Sequence, residues 1–321
     1  MDSAMNRGLN ARAAEIADQL TDDAATYGVT VHTLLGGARV IDAGVDAAGG
    51  FAAGLAMVRA CLGGLGHASF VPLSIDGDPY HGVHVWTDHP ATACMASQYA
   101  GWALNVGDYF AMGSGPLRAV ARVEHELFDK LGYSEQAERG VLVLETRSLP
   151  TDAVVTLVSE RTGLPRGALT FIVAPTASIA GSVQISARVI ETGMHKMDVL
   201  GFDVRLVTHA MGNAPVPPVA KNDLRAIGRT NDCILYGGQA HYTVRADDAT
   251  LEELAAKIPA SASTDYGTPF YQIFDRYDRD FYKIDKLLFS PGEVWLTSPT
   301  TGRTFHGGNL NAGVLRESLY G

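Results

Sequence analysis

The chain has 321 residues, 46% of them hydrophobic and 19% charged, which is enough to bury a large core and exceeds the length at which single cores stop growing. A formal net charge of −10 without any basic run excludes duplex nucleic acid as a partner, and no segment is apolar for long enough to span a bilayer. The 3 cysteines, Cys61, Cys94 and Cys233, are scattered and odd in number, so they support neither a disulfide framework nor a CxxC site and fit a reducing cytoplasm.

In chain order, Leu9, Ala13, Ile16 and Leu20 recur at steps of three and four and predict an amphipathic N-terminal helix, not a secretory segment. The run VTVHTLLGGARVIDAG predicts a hairpin turning at Gly36-Gly37, and Phe51, Leu55, Val58 and Leu62 predict a helix ended by Gly63, Gly64 and Gly66. A second hairpin is predicted around Asp76-Gly77-Asp78-Pro79, then a helix at Ala91–Ala103, then FAMGSGPLRAV as a Gly-rich turn with no clear strand before it. GVLVLET, a helix near 151–162 and LTFIVAP predict a β-α-β unit with a sheet covered on both faces. A continuous helix from Ser178 to Leu200, stopped by Gly201, follows. VRLVTHAMG, a Pro-rich loop, the strand CILYGG (233–238), a helix at Leu251–Lys257 and a last hairpin, GEVWLT with RTFHGG, complete the chain. Early and late hairpins around a β-α-β unit predict an α+β or mixed α/β fold with two domains and a pocket between them. The expected division is 1–138 and 139–321, with the C-terminal hairpin free to pack back onto the first domain.

Within the predicted helix, Val183, Ala187, Ile190, Met194 and Met197 form an apolar stripe that faces the core. Gln184, Arg188, Glu191 and His195 form a second stripe about 100° around the axis, on which Arg188 and Glu191 are close enough to meet. Spacing alone favours a solvated ion pair worth a few tenths of a kcal/mol. Against that, the stripe borders the buried face, and the helix begins where a strand ends, at Pro175-Thr176-Ala177-Ser178, a common place for sites in α/β proteins.

PTASIAGSVQISARVIETG, together with WTDHPA (86–91), YFAMGSGP (109–116), TNDCILYGG (230–238), SASTDYGTPFYQIF (261–274) and YDRDFYKID (277–285), resembles the methenyltetrahydromethanopterin cyclohydrolase family from about Val31 to the C-terminus. The resemblance implies a homotrimeric cytoplasmic hydrolase of one-carbon metabolism. It would open the methenyl bridge between two nitrogens of tetrahydromethanopterin without a metal or nucleotide cofactor. By motif, Arg188 and Glu191 match the family's catalytic arginine and glutamate, and Glu145 matches a second acidic residue near the pterin. The chemistry suits the pair: the methenyl carbon belongs to a planar amidinium cation, so the protein must chiefly place a water over it and remove a proton as the bond forms.

Further candidates for substrate binding are Gly113, Ser114 and Gly115, whose N–H groups before a helix would face an anion, together with Gln184, Asp265, Tyr266 and Phe270 as pocket lining. Each also has a plain structural reading, as a turn or as core. His81, His84 and His89 do not make a metal set, because strand positions 81 and 84 point to opposite faces. No GxSxG elbow, P-loop or dinucleotide fingerprint occurs. Competing readings are the same ring opening on a folate carrier, a pterin-binding protein without catalysis, and a nicotinamide-dependent dehydrogenase acting on the carrier.

Overall fold

A computed structural model describes residues 7–278 and 283–321. It divides into two units, Met1–His67 with Thr92–Gln184, and Ala68–Ala91 with Ile185–Gly321. Each carries a mixed sheet of six strands, so the fold is α+β with two sheet-bearing halves. Positions 279–282 of the YDRDFYKID motif lie outside the described residues. Among the described residues, no helix is long and apolar enough to cross a membrane.

The first unit opens with helices α1 (Leu9–Asp22) and α2 (Ala24–Tyr27), then the hairpin β1 (Thr30–Thr33) and β2 (Arg39–Asp42), then α3 (Phe51–Cys61). Gly36 and Gly37 take positive φ in the hairpin turn, and α1 buries Leu9, Ala13, Ile16 and Leu20, both as the sequence predicts. Strands β3 (Gly66–Ile75) and β4 (Asp78–Thr87) leave for the second sheet through an Asp76-Gly77 turn.

The predicted helix at Ala91–Ala103 is shorter than expected. A π-helical segment covers Ala91–Gln98, closed by Tyr99 N–H donating to the Cys94 carbonyl, and Trp102–Val106 is strand β5. The alternation of buried Trp102 and Leu104 is the period-two signal that a helix reading overlooked. Tyr109–Ser114 is strand β6, paired with β5 through a Gly107-Asp108 turn, so the FAMGS stretch is sheet, not loop, and only Gly115 lies beyond its end.

Helices α4 (Leu117–Ala121) and α5 (His125–Leu131) precede β7 (Gly140–Glu145), α6 (Asp152–Thr162) and β8 (Leu169–Ala174), the expected β-α-β unit. The first sheet runs β1-β2-β8-β7-β6-β5, with β2, β8 and β7 parallel. Because β7 pairs with β6 as well as β8, the chain on both sides of residue 138 shares one sheet, which overturns a division there.

The predicted helix from Ser178 to Leu200 is two helices, α7 (Ile179–Ser186) and α8 (Val189–Val199). The break is a tight turn in which Arg188 N–H donates to the Ile185 carbonyl at 3.0 Å. Gly201, at φ +83, ends α8 as expected.

In the second unit, α8 packs on β9 (Val207–Pro215) and β10 (Gln239–Val244), between which lies α9 (Asp223–Leu235). Cys233-Ile234-Leu235, expected as a strand, is the last turn of α9. A short apolar run does not distinguish a strand from a buried helix, and Asn222, accepting from Arg225 N–H, starts the helix instead. α10 (Asp248–Lys257), α11 (Phe270–Arg276), the hairpin β11 (Glu293–Thr297) and β12 (Thr304–Gly308), and α12 (Ala312–Tyr320) follow. The C-terminal hairpin joins β10 through a parallel β10–β11 pairing, giving the order β12-β11-β10-β9-β4-β3, a sheet that also holds β3 and β4 from the first half of the chain.

Candidate active site

In the first unit, the carboxyl ends of the parallel strands β2, β7 and β8 carry Asp42, Glu145 and the Pro175–Ser178 turn, the place where open parallel sheets commonly hold ligands. Asp42 is fully buried and accepts four backbone N–H bonds, from Gly44, Val45, Asp46 and Ala47, at 2.7–2.9 Å. Burial works to raise its carboxyl, but those bonds outweigh it and hold the group below the usual carboxylate range. Asp42 therefore shapes the loop after β2. An acidic residue at a strand end, followed by the glycine-rich stretch 44–50, was its available signal. Glu145 ends β7 and accepts a hydrogen bond from the Thr176 hydroxyl.

Four of the remaining candidates, Gly113, Ser114, Gly115 and Gln184, fall in this unit's interior. Ser114 is buried, with its Oγ 3.5 Å from the Cys61 thiol, which also donates toward Gln184 Oε1 at 3.9 Å. Cys61, which the sequence offered only as a scattered cysteine, thus links two predicted site residues. Gly115 N–H donates to the Ser97 carbonyl at 2.8 Å, and Gly113 pairs with Trp102 and Leu144 inside the sheet. Gly115 therefore does not offer its N–H to an anion, and the open cradle read from MGSGP is corrected to a strand end. A Cβ at Gly113 would lie 3.0 Å from the Trp102 carbonyl oxygen, so this glycine serves close sheet packing.

In the second unit, Arg188 and Glu191 come together as their spacing predicted. Arg188 Nη1 lies 3.7 Å from Glu191 Oε2, with the side chains only 9% and 5% exposed. This burial rules out the solvated-pair reading. The break before α8 gives each residue a distinct position: Arg188 is the N-cap, with φ −82 and ψ 4, and Glu191 lies in the first helical turn. The backbone of Arg188 is in the sparsely populated bridge region often found at active sites, and the helix N-terminus favours the negative charge of Glu191.

The sheet holds this turn in place. Tyr242 OH donates to the Ile190 carbonyl at 2.9 Å, and a Cβ at Gly193 would lie 2.1 Å from that hydroxyl oxygen, so Gly193 permits the close approach. One turn further on, burial pushes the His195 imidazole below its ordinary range. Lys196, which sequence reasoning did not single out, is buried and donates to the carbonyls of Pro259 and Leu287.

Asp265, Tyr266 and Phe270 divide by environment. Tyr266 lines a cavity of about 570 Å³ with Ser74, Asp76, Ser261 and Asn311, and its ring lies 4.9 Å from that of Tyr236. Asp265 is buried and accepts from Tyr277 OH at 2.9 Å and from Asp285 N–H at 3.1 Å, bonds that hold its own loop. Phe270 is fully buried, its ring 5.8 Å from Phe274 and 5.6 Å from Phe289, and its N–H donates to Asp232. Both occupy structural positions, which favours the plain reading over pocket lining. His84 Nδ1 is 2.8 Å from Asn213 Oδ1, an ordinary pairing across adjacent strands.

Residues 8–319 match the family described as cyclohydrolase (MCH). Similar proteins include methenyltetrahydromethanopterin cyclohydrolases of Methylobacterium organophilum, 44% identical over 97% of this chain and 97% of that protein, and of Methanocaldococcus jannaschii, 42% identical over 97% and 98%. Another, from Methanococcoides burtonii, is 40% identical over 97% of this chain and 98% of its own length. The match spans nearly the whole chain and includes the helix break that carries Arg188 and Glu191, and the chain belongs to the methenyltetrahydromethanopterin cyclohydrolase family.

Proposed function

We propose that this protein is a hydrolase that adds water to the methenyl bridge of N5,N10-methenyltetrahydromethanopterin and releases the N5-formyl carrier. The observation that carries the reading is the buried Arg188–Glu191 pair at the start of α8. The substrate carbon is already electrophilic, so catalysis consists of placing a water above it and accepting a proton as the C–O bond forms. Glu191 is assigned as that base. Arg188 orients the carboxylate and stabilises charge on oxygen in the tetrahedral adduct. The adduct then collapses: the hydroxyl gives up its proton as the C=O bond forms, the bond from carbon to N10 breaks, N10 takes a proton, and the formyl group stays on N5, with one proton released to solvent overall.

Glu145, Gln184 and Tyr266 are assigned to carrier binding. The reading requires no metal, nucleotide or other cofactor, and it places a homotrimer in the cytoplasm. Decay of methenyl absorbance, compared between the methanopterin and folate carriers, tests it. Faster turnover of the methanopterin carrier is expected, and no acceleration on either carrier would overturn it.

A further inference from the structure

Glu145 lies opposite Ala174 in the parallel β7–β8 pairing, and the chain leaves β8 through Pro175-Thr176-Ala177-Ser178. Here the Thr176 hydroxyl donates to Glu145 Oε1. The turn that presents this hydroxyl is tied at several points. Ser178 Oγ donates to the Pro175 carbonyl at 2.7 Å and accepts from Gly181 N–H at 3.0 Å, while Ser182 Oγ donates to the Thr176 carbonyl at 3.2 Å.

Two close approaches lock it further. A Cβ at Gly181 would lie 2.0 Å from the Pro175 carbonyl oxygen, so the turn is pressed onto the first turn of α7. A Cβ at Gly44 would lie 2.8 Å from the Ser178 Cβ, so the turn also meets the loop that Asp42 holds rigid. Thr176 itself is 2% exposed, which leaves its hydroxyl shielded from solvent and fixed in direction.

We infer that Thr176 is a positioning residue whose hydroxyl sets the rotamer of Glu145 before the carrier binds; this rests on the cyclohydrolase reading and its assignment of Glu145 to carrier binding. A glutamate side chain turns about several torsions, and ordering it only on binding would weaken affinity. A donor held by an over-determined turn removes that cost from the binding step. The effect therefore falls on KM and leaves the chemistry at the methenyl carbon alone.

The test is a double-mutant cycle on methenyl-carrier hydrolysis. Thr176→Val, which keeps shape and removes the hydroxyl, is expected to raise KM about tenfold, the scale of one charge-assisted hydrogen bond, with kcat changed less than about twofold. Thr176→Ser is expected to restore KM, and Thr176→Val is expected to add nothing to Glu145→Ala. Unchanged KM in Thr176→Val, full additivity with Glu145→Ala, or failure of Thr176→Ser to restore KM would each overturn the inference. Should Thr176→Val fail to fold, Thr176→Ala against Thr176→Ser repeats the test, with equal KM values overturning it. A wild type without activity on the carrier would instead sink the parent reading, whereas an active wild type with impaired Glu145→Ala and normal Thr176→Val sinks this inference alone.

Discussion

Arg188 and Glu191 are three residues apart but not on one unbroken helix: Arg188 is the N-cap of α8 and Glu191 belongs to its first turn, with Nη1 and Oε2 3.7 Å apart. The interruption at Ala187 and Arg188 frees the arginine backbone from helical geometry, while the carboxylate gains the favourable end of the helix dipole. The pair is thus built by a local feature of the chain, and its energetics can be probed without substrate.

Replacing Arg188 by Met removes a guanidinium beside a carboxylate in a buried setting, for which a loss on the order of 3 kcal/mol is expected. Glu191→Gln in the same chain should recover part of that loss, because the buried charge is gone, while activity stays absent. Urea unfolding of the two single variants and the double variant checks this; strictly additive losses would contradict it.

Asp232 offers a pH test of stability. Burial pushes its carboxyl up to about 7, against the bonds from Ser318 Oγ and Phe270 N–H. Its folded pKa lies above the unfolded one, so its stabilising contribution is complete below about pH 4 and lost as pH rises through about 7. Asp232→Asn, which keeps an acceptor for Phe270 N–H, should therefore gain on the order of 2 kcal/mol relative to wild type between about pH 5 and about pH 8. An equal difference at both pH values in urea unfolding would refute the account of this group.

Lys196 has the opposite sign. Burial pushes its ammonium down to about 8, against the pull of Asp285, so the folded chain binds this proton less tightly than the unfolded one. Its contribution is complete above the unfolded lysine range and falls away as pH drops through about 8. Wild type should gain stability relative to Lys196→Met between about pH 7 and about pH 10, on the order of 1 kcal/mol. Denaturation midpoints at those two pH values provide the measurement, and a gap that stays constant would contradict the burial argument.

How much of this was legible in the sequence follows from the range of the signals. The Gly36-Gly37 and Asp76-Gly77 turns, the β-α-β unit and the stop at Gly201 are local, and each appears where the residues predict it. The pairing of Arg188 with Glu191 was also legible, because an N-cap residue and the residue three positions on still bring their side chains together at the start of α8. The break itself was not, since nothing in the Ser186-Ala187-Arg188 composition forbids helix. Cys233–Leu235 was misread because its burial depends on distant partners: Asp232 binds Phe270 N–H and Ser318, which lie far along the chain. The role of Cys61 likewise arises from distant neighbours, Ser114 and Gln184, that adjacent residues do not announce, whereas that of Asp42 had a local signal in the glycine-rich stretch that follows it.

Gly181→Ala should be severe although it adds one methyl group. Its Cβ would meet the Pro175 carbonyl oxygen at 2.0 Å, so the Pro175–Ser178 turn must lift, with an expected loss on the order of 3 kcal/mol from overpacking. Gly313→Ala, whose nearest neighbour is Asn311 Oδ1 at 3.6 Å, serves as the control and should be nearly neutral. Thermal melting of both variants decides it, and similar melting temperatures would count against the close-approach argument.

The most direct measurement is single-turnover hydrolysis of the methenyl carrier by wild type and Glu191→Gln, followed by absorbance with substrate affinity determined in parallel. The account predicts that Glu191→Gln loses at least about 100-fold in the chemical step, the usual contribution of a positioned general base, while affinity changes only a few-fold. A variant that hydrolyses the carrier at close to the wild-type rate would contradict the assignment of Glu191 as the group that activates water.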